Sequence, residues 1–138
     1  DAELDRNATL LAVETVVLGR KAMKEQLTEF SFHDHWRIRR EGKLIFADDL
    51  RFDPMRVQGA AALGRREAFA TIVLVGRDTE LFLEPLREII GMSGGASAWD
   101  GKLIARLAGL DGFDLRKTLI PALKLLSGKA QLPKVWTL

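Results

Sequence analysis

Two apolar runs in the chain have the length and composition of buried strands. Residues 9–18 (TLLAVETVVL) and residues 69–75 (FATIVLV) are rich in β-branched side chains and contain a single charged residue, Glu14. Runs this short do not suit most helices, and β-branched residues favour extended backbone. The pattern therefore predicts two buried strands, one of which carries a carboxylate at its centre.

A β-hairpin is predicted around residues 41–43, because apolar and polar residues alternate on both sides of this point. The length of the loop decides which residues face each other. A three-residue loop sets Ile38 opposite Phe46 and Trp36 opposite Asp48, which keeps the apolar residues on one face. A loop one residue shorter would mix the two faces, so the three-residue loop is the one that we predict.

Two carboxylates fall on the apolar face of this predicted hairpin. Asp34 and Asp48 share that face with Phe32 and Trp36. A buried carboxylate without a partner costs several kcal/mol, because it loses its hydration. Each of the two must therefore be paired, protonated, at the rim of the sheet or beside a hydrated cavity.

A second hairpin and a first helix are predicted further along the chain. Asp100 and Gly101 stand between two extended segments and favour a two-residue turn, since both positions of such a turn need positive φ. A helix is predicted over residues 81–90, after the start signal that Asp78 and Thr79 provide.

A second helix is predicted to follow Asp111 or Asp114, either of which can cap its first turn. Its apolar residues recur at helical spacing and form one stripe: Leu115, Leu119, Ala122, Leu123 and Leu126. Pro121 predicts a kink or a division into two short helices. With five or six strands and two helices, the predicted fold is α+β and strand-dominated, with antiparallel hairpins.

The composition of the chain excludes several classes of functional site and of binding partner. The 138 residues suit a single domain over the whole chain, and a first residue other than Met indicates a portion of a longer protein. The absence of cysteine excludes disulfides, thiolate metal sites and a cysteine nucleophile. A net charge of +2 is too small to indicate a nucleic-acid partner, and no apolar run approaches membrane-spanning length. Nucleotide-binding and nucleophile-elbow motifs are also missing, so an enzyme is not predicted.

The two histidines of the chain form a possible metal-binding pair. In a strand, His33 and His35 point to the same face, while Asp34 points to the other. Two imidazoles suit Ni²⁺, Zn²⁺ or Cu²⁺, but a third ligand would have to come from elsewhere. Solvated strand histidines are the interpretation that we favour at this point, with a histidine-based metal binder as the alternative.

Glu14, Asp34 and Asp48 are the more unusual residues, because each is a carboxylate inside an apolar strand. One interpretation is structural: each acid forms a salt bridge, with Arg20, Arg37 or Arg106 as the candidate partners. The other is functional: the acids line a hydrated passage, where carboxylate and water ligands would hold a divalent ion weakly enough to pass it on.

Several motifs in order resemble the urease accessory protein family UreD, called UreH in some bacteria. They are residues 14–20 (ETVVLGR), 36–48 (WRIRREGKLIFAD), 95–106 (GASAWDGKLIAR), the helix leading to Ile120 and Pro121, and residues 132–136 (LPKVW). The resemblance covers nearly the whole chain and corresponds to the C-terminal half of that family's length. It implies that the chain is part of a larger UreD-like β-rich fold.

The resemblance also implies a function without catalysis. UreD-like proteins act in the cytoplasm, bind UreF and, through it, the GTPase UreG, and deliver nickel to apo-urease. The family's acidic positions along a proposed nickel tunnel fall on Glu14 and Asp48, which would meet nickel in transit without a tightly bound cofactor. Asp34 has no such match, and His33 and His35 depart from the family pattern. The alternative is a metal-free, β-rich protein-interaction domain in which the acids are structural ion pairs.

Overall fold

A computed structural model describes residues 1–18, 32–52 and 66–128, together with Leu132 and Lys134. The chain divides into two compact units, one formed by Asp1–Ala8 and Leu18–Arg65 and the other by Thr9–Val17 and Arg66–Leu138. Among the described residues, strands outnumber helices, which confirms the predicted α+β, strand-dominated class. The elements are β1 (Ala2–Leu4), β2 (Leu10–Val17), β3 (Phe32–Arg40), β4 (Lys43–Phe52), β5 (Ala68–Val75), α1 (Leu83–Ile90), β6 (Gly94–Trp99), β7 (Lys102–Gly109) and α2 (Gly112–Ser127).

The first unit contains a three-stranded sheet in the order β1-β3-β4. β1 runs parallel to β3, and β3 and β4 form the predicted antiparallel hairpin. Ile38 faces Phe46 across this hairpin, and both side chains are buried. Trp36 faces Asp48, so the predicted register of the central pairs is confirmed.

The predicted three-residue loop of this hairpin is wrong. Arg40 pairs with Lys43, which leaves a two-residue turn of Glu41 and Gly42 with φ of 49° and 76°. Positive φ at both positions suits the twist of the two strands. The register shifts by one residue next to this turn, where Ile45 is the extra residue of a β-bulge. The bulge restores the alignment of apolar faces that a two-residue turn alone would have lost.

The second unit contains a four-stranded antiparallel sheet in the order β2-β5-β7-β6. The helices pack against one face, where Ile72 and Leu103 of the sheet and Leu119 of α2 are fully buried. β2 lies at an edge of this sheet, as far as the described residues extend, and its side chains are mostly half-buried. The prediction of β5 as a buried strand is confirmed. β2 is confirmed as a strand, but its predicted burial is wrong, because it has only β5 as a neighbour there.

Both predicted helices are present, and so is the second hairpin. Asp100 and Gly101 have φ of 46° and 69° and connect β6 to β7. A short 3₁₀ turn, Thr79–Phe82, leads into α1, which ends at Ile90. Neither helix in the described ranges combines the length and the apolar character that crossing a membrane requires.

α2 buries the predicted apolar stripe: Leu115, Leu119, Ala122, Leu123 and Leu126. The helix continues through Pro121 as one element, so the predicted division into two short helices is wrong. A proline removes one backbone hydrogen bond of the helix. Leu119 before Pro121 and Ala122 after it are both buried in the core that α2 shares with the sheet, which offsets that loss.

The start of α2 is fixed by two carboxylates. The Asp114 backbone N–H donates to Asp111 Oδ1 over 2.8 Å, and the Leu110 backbone N–H donates to Asp114 Oδ2 over 2.9 Å. Asp111 is thus the cap, and Asp114 contributes a second bond to the turn that precedes the helix.

We expect Asp111→Ala to lower the free energy of unfolding by about 1 kcal/mol, because the first turn loses its acceptor. Asp111→Asn keeps a side-chain oxygen in the same place and should lose much less. Urea unfolding of the two variants measures the difference. Equal losses in both variants would mean that the negative charge, rather than the cap, is what matters.

Candidate functional site

The β3–β4 hairpin separates its polar residues onto two faces. His33 and His35 lie on one face together with Asp49, which is the cross-strand partner of His35. Asp34 lies on the other face, which it shares with Asp48, the partner of Trp36. The predicted sides of the two histidines and the two acids are therefore confirmed, and the two faces carry different chemistry.

On the exposed face, Asp49 contacts three other polar side chains. We call the four residues the His–Asp cluster: His33, His35, Arg37 and Asp49. Asp49 Oδ1 lies 2.6 Å from His35 Nδ1 and 3.2 Å from His33 Nε2. Arg37 Nη2 donates to the other carboxylate oxygen, Oδ2, over 3.1 Å. The side chains of His33, His35 and Asp49 are 44%, 49% and 45% exposed, so the cluster is open to solvent.

The electrostatics of the cluster keep Asp49 ionised. Hydrogen bonds from His35, and then from Arg37, hold the pKa of the Asp49 carboxyl well below its ordinary value. An ionised carboxylate can only accept hydrogen bonds, so each imidazole must present an N–H to it. Each of those N–H groups marks a nitrogen that could instead offer a lone pair to a metal ion.

Asp49 was not among the residues predicted from the sequence, although the predicted register contained it. Setting Trp36 opposite Asp48 automatically sets His35 opposite Asp49, one step along the hairpin. A candidate third ligand for the histidine pair was therefore derivable from the alignment of the two strands. It was missed because only the apolar face was used to choose the register.

Asp34 has structural partners on the apolar face. Its Oδ1 accepts the backbone N–H of His35 over 2.8 Å, and its Oδ2 accepts the indole N–H of Trp36. Of the options predicted for a carboxylate at this position, hydrogen-bond pairing is the one observed. Asp34 therefore helps to orient Trp36 on the hairpin.

Glu14 and Asp48 are both half-buried and both lie in strand interiors. Asp48 is part of β4 in the first unit, and Glu14 is part of β2 in the second. Glu14 faces Thr71 of β5, which in turn faces Arg106 of β7, so these three side chains lie in one row on the same face of the sheet.

Of the arginines considered as salt-bridge partners for Glu14, Asp34 and Asp48, Arg37 bonds the carboxylate of a different residue. Arg37 donates to Asp49 and to the backbone carbonyl oxygens of Trp36 and Asp48, at 2.7 Å and 3.3 Å respectively. Its guanidinium thus joins the His–Asp cluster. Arg20 lies outside the described residues.

Comparison with known proteins identifies the family. The family model described as "UreD urease accessory protein" matches residues 1–137. The chain is 50% identical over 142 residues to the urease accessory protein UreD of Rhizobium leguminosarum bv. viciae, which covers 100% of this chain and 52% of that protein. It is 44% identical over 141 residues to UreD of Agrobacterium fabrum, covering 100% of this chain and 50% of that protein.

A more distant relative gives the same result. UreD 1 of Brucella abortus biovar 1 is 41% identical over 145 residues, with 100% of this chain and 52% of that protein covered. The chain thus spans about half the length of the curated relatives it matches. The motifs and the family model agree over nearly all of the chain, and it belongs to the UreD family of urease accessory proteins.

Proposed function

We propose that the protein containing this chain is a maturation factor for urease. In this role it is a scaffold that binds UreF and, through UreF, the GTPase UreG, and it passes nickel to apo-urease in the cytoplasm without catalysing a reaction itself. Nickel is its cargo rather than a resident cofactor. Membership of the UreD family supports the role in urease maturation.

The observation that carries the nickel part of this proposal is the position of two carboxylates. Glu14 and Asp48 are half-buried in the middle of strands, where most residues are apolar. Carboxylates are costly to desolvate, so an acid in a strand interior is kept hydrated or bound to a partner, and a hydrated cation is one such partner. Their motifs also match the family positions that the resemblance assigned to a nickel tunnel.

The donor chemistry suits transfer. Carboxylate oxygens and water bind Ni²⁺ less firmly than imidazole or thiolate groups do, so an ion that meets Glu14 or Asp48 can leave again. A site that held nickel firmly would compete with apo-urease for it. Weak oxygen ligands therefore support a passage rather than a store.

The proposal predicts that Glu14→Gln combined with Asp48→Asn lowers urease activation by about tenfold or more, the lower end of what substitutions around a metal site typically cost. Both substitutions keep the size of the side chain and remove its charge. The measurement is urease specific activity in cells in which the full-length variant replaces the native protein. Capture of UreF by the same variant is measured in parallel.

Glu88→Gln combined with Asp100→Asn is the matched control, because it removes the same two charges from exposed positions. We expect this control to activate urease normally. Unchanged activation by the Glu14 and Asp48 variant, with UreF still bound, would contradict the nickel passage. If the variant loses both UreF binding and urease activation, a structural role for the two acids is favoured.

One observation favours the alternative, a metal-free interaction domain. Glu14 and Arg106 flank Thr71 in a single row on one face of the second sheet. Long side chains can reach across one strand, so Glu14 could act as a structural ion-pair partner there. In that case Arg106→Gln should impair the protein as much as Glu14→Gln does, whereas the nickel passage requires only the acid.

A further inference from the structure

We propose that His33, His35 and Asp49 form a surface site for a divalent transition-metal ion, separate from the acids of the proposed nickel passage. Within the described residues these three bring one ligand atom each to within 4.8 Å of one another. Two imidazoles and one carboxylate form a donor set that first-row transition metals accept and that Mg²⁺ and Ca²⁺ do not favour.

The distances between the donor atoms suit an ion with short bonds. Metal–ligand bonds of about 2.1 Å place neighbouring donor atoms about 3.0–3.4 Å apart. Asp49 Oδ1 lies 3.2 Å from His33 Nε2, which is inside that range. It lies 2.6 Å from His35 Nδ1, so these two atoms would have to move slightly apart to share an ion. The two imidazole rings are nearly perpendicular, at 82°, with their centroids 6.1 Å apart. An ion would take the place of the protons between these two ring nitrogens and Asp49 Oδ1, and each proton would pass to the other nitrogen of its ring or to solvent.

The hairpin holds the three ligands in place before any ion arrives. His33 and His35 project from the same face of β3, and Asp49 is the cross-strand partner of His35 on β4. Arg37 bonds Asp49 through Oδ2 and leaves Oδ1 turned towards the imidazoles. A bonded second oxygen orients the carboxylate as a one-oxygen ligand, as the outer partners of metal ligands commonly do.

Exposure and charge make this a site for reversible binding. All three ligands are nearly half exposed, so water can complete the coordination of the ion and can also displace it. The positive charge of Arg37 beside Asp49 further weakens the hold on a cation. Asp48 lies on the opposite face of the same hairpin, so this site does not depend on the proposed nickel passage.

The test uses the full-length protein without a purification tag and Zn²⁺ alone as the probe. His33→Asn combined with His35→Asn removes both histidines of this chain. Asp49→Asn removes the carboxylate separately, and Asp5→Asn is a control at another exposed acid. Calorimetric titration gives the number of bound ions and their affinities. NMR spectra of the native protein follow the ring resonances of His33 and His35, which the variants assign.

In the native protein, we expect Zn²⁺ to shift the ring resonances of both histidines. Each of the two site variants should bind one Zn²⁺ ion fewer than the native protein, or bind that ion at least tenfold more weakly. The Asp5→Asn protein should titrate like the native one. Ring resonances that do not move with Zn²⁺, or site variants that bind as the native protein does, would overturn the proposal. The Glu14 and Asp48 variant should keep this ion, so a failure of the nickel passage and a failure of this site give different results.

Discussion

Gly94→Ala is expected to destabilise the protein by about 3 kcal/mol, near the upper end of the usual cost of forcing extra atoms into a packed site. Gly94 pairs with Leu107 where β6 begins. A Cβ at Gly94 would lie 1.9 Å from the backbone oxygen of Arg106 and 2.9 Å from its carbonyl carbon. Backbone atoms of β7 cannot rotate away as a side chain could. The extra methyl group must therefore push β6 out of its pairing with β7.

Gly95→Ala is the matched control, since a Cβ at the neighbouring position meets nothing within 4 Å. Alanine also restricts the unfolded chain more than glycine does, so Gly95→Ala should be neutral or slightly stabilising. Urea unfolding of the full-length protein, with circular dichroism as the signal, measures both variants. Similar losses at the two positions would show that the close approach of Gly94 to β7 is not what demands glycine.

Leu119→Ala should cost about 3 kcal/mol, within the range measured for large-to-small changes at buried positions. Leu119 is 0% exposed and lies at the centre of the stripe by which α2 packs on the second sheet. Truncation removes buried methyl groups and leaves a cavity. Helix and sheet flank that cavity on both sides, so it cannot close easily.

Two further variants separate cavity formation from other effects. Leu119→Met keeps most of the buried volume and should cost less than about 1.5 kcal/mol. Leu81→Ala makes the same chemical change at a side chain that is 76% exposed, and it should stay within about 0.5 kcal/mol of the native protein. A loss at Leu81 as large as that at Leu119 would contradict the placement of Leu119 inside the core and of Leu81 outside it.

Helix α2 and the hairpin faces were predictable because a single physical rule decides each of them. The stripe from Leu115 to Leu126 follows from helical periodicity, and the same five residues are the buried ones. Which side chains share a face of the first hairpin follows from the two-residue period of a strand. The observed pairing of Trp36 with Asp48 is the one that this period predicts.

Local chain geometry was harder to predict, because several solutions satisfy the same pattern. A three-residue loop and a two-residue turn followed by a bulge both set Ile38 opposite Phe46, and apolar alternation cannot distinguish them. The apolar content of β2 indicated burial on both faces, but the number of neighbouring strands depends on contacts that are distant in sequence. Pro121 indicated a kink or two short helices, and packing on both of its sides keeps α2 a single element.

The candidate site was predictable in part. Pattern and resemblance agreed on Glu14 and Asp48, whose assignment to a nickel passage stays a prediction. Asp34 shows why an acid on an apolar face is not by itself a functional signal, since the indole of Trp36 and a backbone N–H satisfy it. Asp49 is distinguished from other exposed acids only by its position across from His35, which the apolar pattern alone does not bring to notice.

The bulge at Ile45 decides which of two successive aspartates meets the histidines. With the same tight turn and Ile45 paired instead of bulged, every pairing beyond it would move by one step, and His35 would face Asp48 instead of Asp49. Asp49 would then be turned toward the aromatic side. Deleting the single codon for Ile45 would remove only the unpaired residue, so Ile38 would still face Phe46 and His35 would still face Asp49. The acid that meets the histidines is therefore set by the bulge itself and not by the number of residues in β4.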